Sequence, residues 1–250
     1  MTAENEKCEK KSISEENHTK AENINNFPQR KENVQPRRWY EKILFYEKNE
    51  QVLKTKCEMN VAKCVKESPI VKLMLNALKS SGCEFDIARH ISCDLCEETV
   101  SGGYDAELNQ VIICYNMCTN QNYVLSTLTH ELIHMFDYCR NKLDYNNLDH
   151  LACTEIRAAN QCHCSFLGAM YRGTASPFHI KQAHRDCVTD KAIRSVLAVK
   201  EVSKDDATAA VMRVFDRCYN DLEPIGRRIR RKSNDMRKAY FEGSYYGYSD

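Results

Sequence analysis

The sequence predicts an α+β protein that is mostly helical and contains one short antiparallel sheet. Residues 84–92 alternate roughly between apolar and polar side chains, and residues 110–115 form an apolar run of strand length. The Ser-Gly-Gly sequence at 101–103 is typical of a turn between them. Residues 122–140 then place apolar side chains at helical spacing, so we expect a buried helix directly after the sheet.

The length of 250 residues is enough for one folded domain with a real core. We divide the chain into a disordered polar tail at 1–36, a folded domain at 37–226 and a basic, aromatic tail at 227–250. No run approaches the roughly 18 apolar residues that a membrane span needs. Residues 1–36 also lack the apolar segment of a secretory signal and the acid-poor composition of a conventional mitochondrial presequence. The 36 basic and 35 acidic residues nearly balance, so the overall charge does not favour a nucleic-acid partner.

The strongest functional signal is a His-Glu-x-x-His motif formed by His130, Glu131 and His134. Residues four apart lie on one face of an α-helix, so His130 and His134 can offer two imidazoles to one metal ion. Glu131 lies beside them, where its carboxylate can accept a proton from water activated by that metal. A charged carboxylate near a core is costly without a partner, which favours this interpretation over two structural core histidines. We therefore predict the Zn²⁺ site of a small, cysteine-rich, zincin-like metallopeptidase.

A catalytic zinc ion takes three protein ligands and keeps one open position, so the motif needs a third ligand. Glu155 is the first choice, because it lies on a second predicted helix that can fold back against the first. His150 is the alternative third ligand. Asp137 lies three residues after His134 and is the expected second-shell partner of a ligating histidine. His184 is either another polar group near the metal or a surface residue.

Fourteen cysteines are too many for an ordinary cytosolic enzyme, and they indicate either disulfides or metal ligands. Cys93 and Cys96 are followed, after 17 residues, by Cys114 and Cys118, a spacing close to that of a structural zinc ribbon. The second pair has three intervening residues instead of two, which fits disulfides that tie down the sheet better. Disulfides need an oxidising compartment, and the mitochondrial intermembrane space provides one without a secretory signal.

The C-terminal residues 227–250 are rich in arginine, lysine and tyrosine. A segment of this composition can contact anionic lipid head groups or nucleic acid. The other interpretation is a solvated, partly disordered terminus.

The sequence resembles the family of mitochondrial inner-membrane metallopeptidases that assist the assembly of ATP synthase. The resemblance covers residues 55–226 and leaves both ends of the chain unexplained. The segments that carry it are Thr129–His134 with Phe136 and Asp137, Cys93 with Cys96, Val100–Asp105, His150–Ala158, Cys187 and Val188 with Ala192, and Phe215–Asp221 leading to Pro224.

The resemblance implies a zinc-dependent endopeptidase that is peripheral to the inner membrane, on its intermembrane-space side. Its substrate would be a polypeptide, the precursor of a membrane subunit in the proton channel of ATP synthase. Members of this family also act as assembly chaperones, so a non-catalytic chaperone on the same fold is one alternative. The vertebrate relative is also described as a partner of the Ku DNA-repair protein, so a nuclear DNA-repair-associated metalloprotease is the other.

Overall fold

The computed structural model describes residues 46–97, 100–141, 143–165, 180–230 and 233–248. The predicted disordered tail at 1–36 lies outside these residues. In chain order, the elements are α1 (Tyr46–Glu67), α2 (Pro69–Ser80), α3 (Ile87–His90), β1 (Ile91–Asp94), β2 (Gly102–Asp105), β3 (Gln110–Cys114), α4 (Gln121–Arg140), α5 (Leu148–Ala158), a π-helical turn (Ala159–His163), α6 (Ile180–Val199), α7 (Lys204–Asn220), α8 (Asp235–Gly243) and a 3₁₀ turn (Ser244–Tyr246). This order confirms the predicted α+β class. None of the described helices is long and apolar enough to cross a membrane.

The three strands form a mixed sheet in the order β1-β3-β2, and not the purely antiparallel sheet that we predicted. β2 and β3 pair antiparallel, with Tyr104 opposite Val111. β1 pairs parallel to β3, with Ile91 opposite Val111. β1 and β2 run in opposite directions, as predicted for consecutive strands, but they are not neighbours because β3 lies between them. β1 therefore lies beside a strand that runs in its own direction.

The first strand begins later than the sequence pattern predicts. Residues 84–90 do not join the sheet, because Asp86 caps the single turn of α3 by accepting a hydrogen bond of 2.7 Å from the Ala88 N–H. Gly102 and Gly103 also lie in β2 and do not form the predicted turn. The reversal occurs instead at residues 106–109, where Asn109 adopts a φ of 50°.

Helix α4 lies against the sheet and against α1 and α2, and most of its length is buried. Asn120 starts it by accepting hydrogen bonds from the N–H groups of Asn122 and Tyr123. Leu128 and Leu132 are fully buried on its apolar face, within the first of two hydrophobic cores. Close packing in this core fixes the position of α4.

The second core lies among α5, α6 and α7. Ile156, Val196 and Val211 are fully buried in it, one from each helix. A disulfide between Cys153 and Cys218 joins α5 to α7. Because α4 also contacts α5, the interface between these two helices joins the two cores.

Ten cysteines of the described chain form five disulfides. Cys96 bonds Cys114 with a Cα–Cα distance of 5.4 Å, which ties the end of β1 to β3. Cys93 bonds Cys57 on α1. The zinc-ribbon alternative is therefore wrong, since three of its four cysteines are in disulfides. The fourth, Cys118, is a buried free thiol.

Residues 233–248 belong to the folded structure, whereas we predicted a tail from 227 onward. Helix α8 packs on α2 and buries Ala239. Part of the basic charge is paired within the segment, because the Arg230 guanidinium donates hydrogen bonds of 2.8 and 3.0 Å to Asp235. Arg227 also pairs with Glu242. The many basic residues of this segment led us to predict a tail, but the segment contains a helix with one apolar face.

We expect alkylation of the denatured, unreduced protein to label Cys64, Cys118 and Cys162 and to leave the ten bonded cysteines unlabelled. The reason is that only those three thiols are free among the described residues. Peptide mass mapping before and after reduction measures the labelling. Full labelling of Cys96 and Cys114 before reduction would contradict the disulfide framework.

Candidate metal centre

Helix α4 presents the two motif histidines to one point. His130 and His134 are one helical turn apart, and their Nε2 atoms lie 3.0 Å from each other. Their rings meet nearly edge to face, with an interplanar angle of 81°. His134 is buried and His130 is partly exposed, so the pair lies at the edge of the core.

Helix α5 brings Glu155 to the same point. Its carboxylate oxygens lie 3.6 Å from His130 Nε2 and 3.5 Å from His134 Nε2. The three ligating atoms all lie within 4.8 Å of one another. The alternative ligand His150 is not part of this cluster, because its Nδ1 accepts a hydrogen bond from the Asp144 N–H.

The tautomer of His134 is set by Thr154 and Asp137. The Thr154 hydroxyl donates a hydrogen bond of 2.7 Å to Asp137 Oδ2, so its oxygen must act as the acceptor for His134 Nδ1, 2.9 Å away. With its proton on Nδ1, His134 directs the Nε2 lone pair at the cluster. Asp137 therefore contacts His134 through Thr154, a residue that no sequence feature singles out, and not directly.

Arg157 holds Asp137 in place. It is 4% exposed, its Nε donates a hydrogen bond of 3.0 Å to Asp137 Oδ2, and one of its terminal nitrogens forms an ion pair of 2.8 Å with Asp137 Oδ1. The same guanidinium pairs with Asp221 and donates to the backbone carbonyl of Glu223. Such charge-assisted, two-point contacts fix the orientation of a carboxylate more firmly than a single neutral hydrogen bond does.

The charges at the cluster suit a cation. Burial lowers the pKa of His134 to about 4, so its imidazole is neutral and can act as a ligand near neutral pH. Burial acts to raise the pKa of Glu155, but His134 and His130 outweigh it and lower the pKa to about 2. Glu155 is therefore ionised, and its buried Oε2 has no hydrogen-bond partner among the described residues.

Glu131 follows His130 on α4 and lies close to the edge strand β2. Its side chain is buried, and a Cβ added to Gly102 on β2 would come within 3.5 Å of Glu131 Oε1. The same Cβ would come within 2.6 Å of the Ile112 carbonyl oxygen, so only glycine fits at this position. The strand therefore approaches Glu131 through its backbone.

His184 is not at the metal cluster. It is 1% exposed, its Nδ1 lies 2.9 Å from the Tyr219 hydroxyl, and its Nε2 lies 2.9 Å from the Cys164 carbonyl oxygen. These contacts join α6, α7 and the end of the π-helical turn. The interpretation of His184 as a surface residue is therefore wrong, and its role as a polar group near the metal stays a prediction.

His163 has no recognisable sequence signal, but it contacts the cluster through His130. Its Nε2 lies 2.9 Å from Nδ1 of His130. It is the last residue of the π-helical turn, and no periodicity in the sequence predicts that turn.

The fold and the cluster are consistent with a small α+β metallopeptidase of the His-Glu-x-x-His type. The chain belongs to the Peptidase M76 family, whose profile matches residues 55–226. The chain is therefore classed among peptidases.

Several relatives have names of the same kind. The chain is 45% identical over 174 residues to the human mitochondrial inner membrane protease ATP23 homolog, covering 69% of this chain and 70% of the relative. It is 43% identical over 187 residues to the Xenopus laevis protein of that name, covering 74% and 78%. A Saccharomyces cerevisiae mitochondrial inner membrane protease ATP23 is 37% identical over 168 residues, covering 64% and 73%. No solved structure matches the chain significantly.

We expect Arg157→Met to destabilise the folded protein by about 3–5 kcal/mol, because it leaves the buried Asp137 carboxylate without its partner. Denaturant unfolding followed by circular dichroism gives the free energy of unfolding. Arg213→Met is the matched control, since Arg213 pairs with Asp149 at the surface and such pairs contribute little. Equal effects of the two substitutions would contradict the structural role of Arg157.

Proposed function

We propose that this protein is a zinc-dependent metalloendopeptidase of the mitochondrial inner membrane. The observation that carries the proposal is the convergence of His130, His134 and Glu155 on one point, with Glu131 beside them. Three ligands and a neighbouring carboxylate form the donor set of catalytic zinc sites in peptidases.

The distances within the cluster fit zinc. Tetrahedral Zn²⁺ with bonds of 2.0–2.2 Å separates its ligand atoms by about 3.3 Å. The separations here are 3.0 Å between the two imidazoles and 3.5 and 3.6 Å from these to Glu155. An ionised carboxylate with a buried oxygen that has no hydrogen-bond partner among the described residues also suits a bound cation.

The reaction that we propose is hydrolysis of a peptide bond. When bound at this site, zinc would supply Lewis acidity that polarises the scissile carbonyl and makes the attacking water more acidic. Glu131 accepts a proton from that water and later donates it to the nitrogen of the leaving amine. His130, His134 and Glu155 would hold the ion, and Thr154 keeps Nε2 of His134 free of its proton.

The position of β2 supports an extended polypeptide as substrate. β2 is an edge strand, and its Gly102 lies next to Glu131. Unpaired backbone groups along the outer edge of such a strand can add a further strand from another chain. A substrate bound in this way would carry its scissile bond past Glu131 and the metal ligands.

The names of the relatives support the location that we propose, the mitochondrial inner membrane. The resemblance found in the sequence further suggests an ATP synthase membrane subunit as the substrate or as the subunit whose assembly the protein assists. The five disulfides agree with an oxidising compartment such as the intermembrane space.

A surface on α8 and the turn after it suits peripheral contact with an anionic bilayer. Phe241 and Tyr245 are 71% and 87% exposed, one turn apart. Arg237 and Lys238 are exposed one turn before Phe241, while the acidic Asp235 is already paired with arginine. Exposed aromatic rings settle at the head-group level of membranes, and basic side chains beside them attract anionic lipids.

We expect Glu131→Gln to reduce cleavage of a model precursor by about 10²–10⁴-fold, because glutamine cannot accept the proton of the attacking water. Zinc content should stay at one ion per chain, since the three ligands are unchanged. Peptide cleavage and elemental analysis on the same preparation measure the two quantities. His150→Gln, at a histidine outside the cluster, should change neither.

Retained cleavage by the Glu131→Gln protein would contradict the peptidase mechanism. Loss of cleavage with intact assembly of ATP synthase in cells would instead indicate that the assembly role does not require proteolysis.

We expect the full chain to bind vesicles of phosphatidylcholine and cardiolipin more tightly than vesicles of phosphatidylcholine alone. Replacing Arg237 and Lys238 with Gln should remove roughly 1 kcal/mol of binding per side chain, about fivefold each. Co-sedimentation with vesicles measures the binding.

Phe241→Ser combined with Tyr245→Ser should also weaken vesicle binding. The control is Tyr123→Ser with Met212→Ser, two side chains elsewhere on the surface that are each 61% exposed. If both double variants bind vesicles alike, the α8 surface is not the membrane contact.

A further inference from the structure

The π-helical turn after α5 brings His163 to the face of the helix that carries Glu155. The N–H of Cys164 donates to the carbonyl of Ala159 at 3.0 Å, the i→i+5 hydrogen bond that defines this turn. In a continuous α-helix, a residue eight positions after Glu155 would be rotated about 80° away from it. A π-helical turn has about 4.4 residues per turn, so each residue in 159–163 adds less rotation about the helix axis. The His163 side chain then leaves the helix within roughly 10° of the direction of the Glu155 side chain.

The contact that results is with a metal ligand. His163 Nε2 lies 2.9 Å from His130 Nδ1, and the two ring centroids are 4.8 Å apart. His163 approaches the nitrogen of His130 that points away from Glu155. It is therefore placed behind a ligand and is not a fourth member of the cluster.

We propose that His163 is a positioning residue that holds His130 in the tautomer required for metal binding. This inference rests on the proposed zinc site. A neutral imidazole that binds a metal through Nε2 must carry its proton on Nδ1. That proton needs an acceptor, and the Nε2 atom of His163 lies at hydrogen-bond distance from it.

The two motif histidines are then oriented in the same way by different partners. His134 donates from Nδ1 to Thr154, which lies next to Glu155 on α5. His130 donates from Nδ1 to His163, which the π-helical turn at the end of the same helix supplies. α5 and its extension thus provide one ligand and the orienting partners of the other two.

The test is the zinc affinity of the full-length protein, measured by competition with a chelating indicator after removal of bound metal. We expect His163→Leu to weaken zinc binding about 10–100-fold, the usual effect of losing a partner of a metal-ligating histidine. His163→Gln should restore most of the affinity, because the amide oxygen of glutamine can accept the same hydrogen bond. His150→Gln is the matched control and should bind zinc as the unsubstituted protein does.

A spectroscopic signature separates orientation from general damage. The visible absorption of Co²⁺ bound in place of zinc should change in intensity and shape in His163→Leu and return toward the unsubstituted spectrum in His163→Gln. The thermal unfolding midpoint of the metal-free protein should be the same in both variants, because His163 is exposed and outside both cores.

The possible results are distinguishable. Unchanged zinc affinity and an unchanged Co²⁺ spectrum in His163→Leu would overturn the role of His163 and leave the proposed peptidase intact. Equal losses in His163→Leu and His163→Gln would also overturn it. Failure of the unsubstituted protein to bind zinc at all would refute the proposed function itself.

Discussion

The alignment of the two ligand-bearing helices depends on the buried charge of Arg157. None of the five disulfides of the described chain joins α4 to α5. Arg157 does join them, because a guanidinium removed from water must be paired and Asp137 on α4 is its partner. The same interaction orients Thr154 and, through it, His134.

This arrangement separates two tasks. The disulfides and apolar contacts make each core rigid, and the polar contacts set the distance and rotation between the cores. Asp221 and the carbonyl of Glu223, just beyond α7, also bind Arg157, so the end of the second core takes part in the alignment. The candidate metal site formed by His130, His134 and Glu155 lies at the junction, where a small shift of α5 would move Glu155 relative to both histidines.

The parts that the sequence predicted are those encoded by local spacing. His130, Glu131 and His134 follow from helical periodicity, and Glu155 follows from a second helix that begins shortly after the first. The parallel pairing of β1 was not predictable, because a strand pattern does not state which neighbour the strand will have. The helix at 235–243 was hidden by the basic residues before it.

Contacts made through the tertiary fold were the least predictable. Arg157 had no sequence feature to separate a buried ion pair from a solvated side chain, and Thr154 looked like any polar helix residue. His163 depends on a single π-helical turn, which shifts the helical phase without a compositional signal. Sequence spacing therefore identifies the candidate metal ligands, whereas the groups that orient them require the structure.

The two motif histidines differ in exposure, and this difference indicates which side of the candidate metal site is open to solvent. His134 is enclosed by Thr154 and the core, whereas His130 is partly exposed and meets the exposed ring of His163. In the peptidase that we propose, a substrate that reaches the centre without displacing buried side chains would approach on the side of His130. Gly102 of the edge strand β2 lies next to Glu131 and would face such a substrate through its backbone. The enclosed side would then hold the ligands in place, and the exposed side would admit the polypeptide.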